Sequence, residues 1–258
     1  MIDFDKRWGK YLNEVTIFEP DPISLPSFEV RDILNPAIWG EDGQLQPETQ
    51  EKLLKIANDF IEDAELGIAV VDIILTGSNA NYNWTKFSDI DLHIVLDFKD
   101  IDPNTELVKE MLTQRRINWN LTHDIMIYDH EVEIYLQDVS EHHVSSGIYS
   151  VLGDRWVVQP TLDKPRVEME PVEIKANGFV EKINNVEKLF QEERHYEAYD
   201  FAKRLKKKIK KMRQSGLEKA GVYSTENLAF KYLRNTNYLQ KLHDFYNMAY
   251  DRMLSIED

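Results

Sequence analysis

Two aspartates, Asp89 and Asp91, stand at the head of an apolar stretch in the string Ser88-Asp-Ile-Asp-Leu-His-Ile-Val-Leu96. On a strand, residues two apart share a face, so both carboxylates project together while Ile90 and Leu92 turn to the core. Two like charges held that close are costly unless a divalent cation lies between them. Mg2+ is the natural tenant, a hard ion that takes oxygen ligands and completes its shell with water and substrate phosphates; Mn2+ is the alternative. Two such ions would clamp an in-line phosphoryl displacement, and that arrangement needs a third carboxylate. Glu133 is expected to supply it. It lies between Val132 and Ile134 in the strand-like run from Glu131 to Leu136 and projects to the face opposite theirs. Glu131 shares its face and is the fallback.

Upstream, a second apolar run, Ile68 to Leu75, ends at Thr76-Gly77-Ser78. A glycine at a strand end lets backbone approach a phosphate, and N–H groups with the Ser78 hydroxyl could hold a triphosphate. An isolated Asp-x-Asp is most simply a solvated strand face; the Gly-Ser turn and Glu133 together favour a site. Two rival chemistries fit less well. A haloacid-dehalogenase-like nucleophile follows an apolar strand, whereas here the strand follows the aspartates and His93 stands in place of the needed Thr or Val. A nucleotide-sugar glycosyltransferase leaves the Gly-Ser turn without a role.

Taken in order, a strand, Gly77-Ser78, Asp89-Ile90-Asp91 and a carboxylate on a later strand, the segment from Asp72 to Gln137 resembles the nucleotidyltransferase superfamily with the DNA polymerase β-type fold. The resemblance implies Gly77 and Ser78 at the nucleotide phosphates, Asp89 and Asp91 on Mg2+, and Glu133 as third metal ligand or acceptor-activating carboxylate. It also implies that a helical region presents polar side chains to the triphosphate, for which Ser224 and Lys231 are the candidates. The implied reaction moves a nucleoside monophosphate from an NTP, ATP foremost, to a hydroxyl and releases pyrophosphate; the acceptor could be RNA, a protein or a small molecule. One departure is that Asn81-Tyr82 stands where many minimal members have Arg-Gly. Ala80-Asn-Tyr-Asn83, with Asp-Ile-Asp-Leu-His, also resembles nucleotidyltransferase-like proteins of tailed phages. The alternative reading keeps the fold without catalysis, as a nucleotide- or protein-binding module in a phage structure or a regulator.

The elements that must position these residues follow from periodicity. Residues 47–65 repeat apolar positions at helical spacing, with Pro47 suited to the first turn. Ile68–Leu75 and Ile90–Leu96 read as strands, followed by a helix that Asp102 caps and Pro103 begins. Thr122–Tyr128 and Glu131–Gln137 read as strands around Asp129-His130, and Ile148–Leu152 with Arg155–Val158 as a hairpin. Beyond Pro160, Pro165 and Pro171 the pattern is helical to the end, with Ser224 or Thr225 capping one helix. The expectation is an α+β fold: a polymerase β-like mixed sheet with flanking helices, then a helical domain. The domains read as an arm over 1–46, a catalytic domain over 47–160 and a helical domain over 161–258.

Composition bounds the rest. The 258 residues carry 31 Lys+Arg against 46 Asp+Glu, a net charge of −15, which argues against extended DNA binding. With no cysteine, thiol nucleophiles and Cys-based zinc sites are excluded. No apolar run approaches the ~20 residues of a membrane span, and no export signal is read, so a cytoplasmic protein is expected, in a host's cytoplasm if phage-borne. Against the acidic whole, Lys203 to Arg213 holds eight basic residues and no acid. This run reads as a cationic helix facing a triphosphate or a short acceptor end, or as a solvated face. The tryptophans have no fixed spacing and read as core or contact residues.

Overall fold

The computed structural model describes residues 30–141, 145–163, 165 and 167–256. Residues 1–29, with Trp8, and His142-His143 lie outside the described residues. Two compact units divide the chain, one within Pro26–Arg166 and the other containing Val167–Asp258. The architecture is the expected mixed α/β one, a six-stranded sheet with flanking helices plus C-terminal helices.

In the first unit the elements run α1 (Pro47–Asp63), β1 (Asp72–Thr76), β2 (Ile90–Leu96), α2 (Thr105–Thr122), β3 (Met126–Ile127), β4 (His130–Asp138), β5 (Ile148–Ser150) and β6 (Arg155–Val158). The spatial order is β3-β4-β2-β1-β5-β6. β1 pairs antiparallel with β2 and β5, while β2 pairs parallel with β4, and α2 is the crossover that a parallel pair requires. Burial in β2 alternates at its start: Ile90, Leu92 and Ile94 are buried, Asp91 and His93 half-buried. The apolar set packs on Leu53, Ala57 and Phe60 of α1 and on Val108, Leu112 and Trp119 of α2. Phe60 and Trp119 meet edge to face at 5.5 Å. The other face carries a small apolar patch of Ile74, Val95 and Ile148, and beyond it the polar residues of the site.

Two boundaries at the ends of α2 differ from the sequence reading, each for a local reason. Asn104 rather than Asp102 caps α2, its side chain accepting from the Leu107 N–H at 3.2 Å. Asp102 instead accepts from Asn104 N–H at 2.7 Å, leaving Asp102-Pro103 in the preceding turn. The expected strand from Thr122 shrinks to Met126–Ile127 because α2 runs through Thr122. Beyond that short strand, the Asn120 side-chain amide pairs with both backbone groups of Ile134, taking the place of a neighbouring strand at the edge of β4.

The second unit holds α3 (Met169–Gln191), α4 (His195–Ala220), α5 (Thr225–Asn235) and α6 (Tyr238–Leu254). Each helix buries one apolar stripe, such as Val172, Ala176, Phe179, Ile183, Val186 and Phe190 on α3. Gly216 of α4 is buried where a Cβ would lie 2.5 Å from the Glu226 Cβ, so glycine lets the two helices approach there. Among the described residues, no helix is long and apolar enough to cross a membrane.

Candidate active site

The parallel register of β2 and β4 sets Asp91 directly beside Glu133. Asp89 precedes β2 by one residue. Ligand oxygens of Asp89, Asp91 and Glu133 all lie within 4.8 Å of one another, on side chains that are half-buried. Glu131 is more exposed and stands outside this group, although it feels the group's charge. Partial burial, then the nearby carboxylates of Glu133, Asp124 and Asp89, push its pKa above the ordinary glutamate value. Hard oxygen donors converging in a concentrated negative field suit a divalent cation, and Asp89, Asp91 and Glu133 are the residues that would hold it.

Gly77 ends β1 beside the triad. Its φ of 74° and ψ of −159° are a conformation that side chains resist, and a Cβ there would lie 1.7 Å from Asp91 Oδ2. The missing side chain therefore makes room for the Asp91 carboxylate itself, a tighter constraint than the expected approach of a phosphate. Ser78 begins a short 3-10 turn through Ala80 and donates its hydroxyl to Ser88 Oγ at 2.8 Å. Asn81 closes the turn by donating to the Gly77 carbonyl at 2.7 Å, and it accepts from the Ser146 hydroxyl at 2.8 Å.

Beneath the turn lies a buried polar network that sequence reading missed. Asn79, fully buried, donates to the Ser88 carbonyl at 3.2 Å and the Asp89 carbonyl at 3.0 Å, tying the Gly-Ser turn to the residues at the head of β2. Its own carbonyl oxygens accept from Asn35 at 3.0 Å on the side chain and from the Trp39 indole at 2.7 Å on the backbone. His130 sits 2.6 Å through Nδ1 from the Ser88 carbonyl and 2.8 Å through Nε2 from the Asn35 amide. A carbonyl only accepts, so Nδ1 carries the proton and Nε2 receives the Asn35 N–H, a neutral imidazole. Two segments distant in sequence, residues 35–39 and His130, thus lock one loop. The available signal was a run of small polar residues between apolar strands, which does not identify partners.

Tyr135, two residues after Glu133 and on its face, donates its hydroxyl to the Glu133 carboxylate. Burial, followed by the Glu133 charge, pushes the phenol well above its ordinary pKa and keeps it a donor. The ring stacks on His93 at 4.9 Å and lies 5.0 Å from the Arg116 guanidinium, while His93 Nδ1 is 3.1 Å from Gln137 Oε1. Glu133 is thereby oriented from its own strand.

Ser224 and Lys231 belong to the helical unit. Ser224 is buried and caps α5, accepting from the Asn227 N–H at 3.2 Å through a lone pair, which leaves its hydroxyl proton as the group it could offer a phosphate. Lys231 is half-buried on the same helix.

Residues 53–145 match the model of a family described as a nucleotidyltransferase domain. No curated protein and no solved structure matches the chain.

Proposed function

We propose, from the match of residues 53–145 to a nucleotidyltransferase domain family, that the chain transfers a nucleoside monophosphate from an NTP, ATP first, to an acceptor hydroxyl in a Mg2+-dependent reaction. The bond that forms joins the acceptor oxygen to the α-phosphorus; the bond that breaks releases pyrophosphate, and the hydroxyl proton leaves to solvent. The observation that carries this reading is the convergence of Asp89, Asp91 and Glu133 within 4.8 Å beside a glycine turn. Bound divalent ions would supply Lewis-acid stabilisation of charge on the phosphate oxygens and the attacking oxygen. Asp89 and Asp91 would hold those ions at the strand head. Glu133, aimed by Tyr135, serves the acceptor side. Gly77 keeps the backbone low where the phosphates arrive, and the buried Asn79 keeps Asp89 in register with the turn.

Calorimetric titration of ATP with and without Mg2+ tests the reading. Wild-type protein should bind ATP more than tenfold tighter with Mg2+. Asp89→Asn and Asp91→Asn should lose that enhancement and lower turnover, measured as pyrophosphate release, on the order of 10³-fold with an unchanged circular dichroism spectrum. Wild-type turnover in either variant would overturn it.

A further inference from the structure

The helical unit carries a cationic seam. Along α4, Tyr199, Lys203, Lys206 and Lys210 recur at helical spacing on one stripe, and His243, Tyr246 and Tyr250 form the matching stripe on α6. The stripes meet. Tyr199 and Tyr246 stack at 5.0 Å, Tyr250 lies 5.3 Å from Tyr199, the Lys206 amine sits 4.4 Å over Tyr246, and Lys206 Nζ lies 2.7 Å from His243 Nδ1. Tyr250 is 44% exposed, so its ring faces solvent at the end of the row.

Lys203, Lys207, Lys208, Lys210 and Lys211 are exposed, and among the described residues none of them forms an ion pair. Arg204 is engaged by Asp200 at 3.0 Å. In a chain of net charge −15 that pairs lysines elsewhere, as Lys175 with Glu226 and Lys241 with Glu187, these cations keep their charge unneutralised beside a tyrosine row.

We propose that the α4–α6 seam binds a short single-stranded nucleic acid, the lysines contacting phosphates and the exposed Tyr250, at the end of the tyrosine row, stacking a base. Cations alone would suit any polyanion; the aromatic row next to them selects one with flat, unpaired bases. A duplex hides its base faces, and a triphosphate is shorter than the lysine run. The basic run spans about 15 Å at 1.5 Å per residue, room for a few nucleotides and too short for an extended track. Under the transferase reading above, a strand held here is the acceptor; the binding itself does not depend on that reading.

Fluorescence anisotropy with labelled oligo(U) 12-mers and the full chain in EDTA separates the two, because nucleotide transfer cannot run without metal. Binding in the micromolar range at 50 mM salt is expected, at least tenfold tighter than to a 12-bp duplex. Lys203→Glu, Lys207→Glu and Lys210→Glu together should weaken binding at least tenfold and lower the salt slope by about two. Tyr250→Ala, which leaves the charge intact, should weaken it about fivefold or more. No binding to oligo(U), or binding untouched by the triple variant, would overturn the proposal. So would a silent Tyr250→Ala with phosphatidylserine vesicles bound as tightly as the strand, which would mark a general polyanion surface. Lost turnover in Asp89→Asn with strand binding retained would bear on the transferase reading alone.

Discussion

At Gly77 and Asp91, one residue's absent side chain is the other's place. A Cβ at position 77 would stand 1.7 Å from Asp91 Oδ2 and would also have to adopt a φ of 74°. Gly77→Ala is therefore expected to displace the Asp91 carboxylate and to cost about 1–3 kcal/mol of stability. Mn2+ titration followed by electron paramagnetic resonance should show weakened metal binding, and urea unfolding should show the lower stability. The two aspartates were legible from the sequence because their face depends only on strand periodicity. The choice of Glu133 over Glu131 was less secure, since both share a face and their parity is the same. The parallel register sets Glu133 rather than Glu131 beside Asp91, and no local spacing encodes a register between strands separated by a helix.

At the scale of elements, β2 and β4 are fastened at both ends. Near the site, Asn79, Asn35 and His130 bind the loop from Gly77 to Asp89. At the far end, buried Asp138 accepts from the Phe98 N–H at 2.9 Å, the Ser140 N–H at 2.9 Å and the Ser140 hydroxyl, pinning the end of β4 to the turn after β2. Burial pushes this carboxyl up, but the hydrogen bonds outweigh it and hold its pKa below the ordinary 3.8. A depressed carboxyl binds fewer protons folded than unfolded, so its stabilisation is complete above about pH 5 and is lost as pH falls through the folded value. Asp138→Asn should cost about 1–3 kcal/mol at pH 7. Urea unfolding at a series of pH values should show that difference shrinking below pH 3.8. The strands and most helices were readable from periodicity, whereas the fasteners were not: Asn35 and Asn79 are 44 residues apart, and an amide's partner has no pattern in sequence.

At the scale of the molecule, the two units divide chemistry from charge. The sheet unit gathers carboxylates at one strand head, and the helical unit concentrates lysines along α4. Net charge and the basic run were plain in the sequence; the tyrosine row beside the lysines was not, because it forms only where α4 meets α6. Nucleotidyl transfer itself is tested by paired incubations with ATP labelled on the α- or the γ-phosphate. With Mg2+ and a fractionated lysate or oligo(U) as acceptor, the α-label should appear in a product larger than ATP and the γ-label in pyrophosphate, and Asp91→Asn should abolish both. Transfer of the γ-label to the acceptor, or α-label incorporation that Asp91→Asn leaves intact, would contradict it.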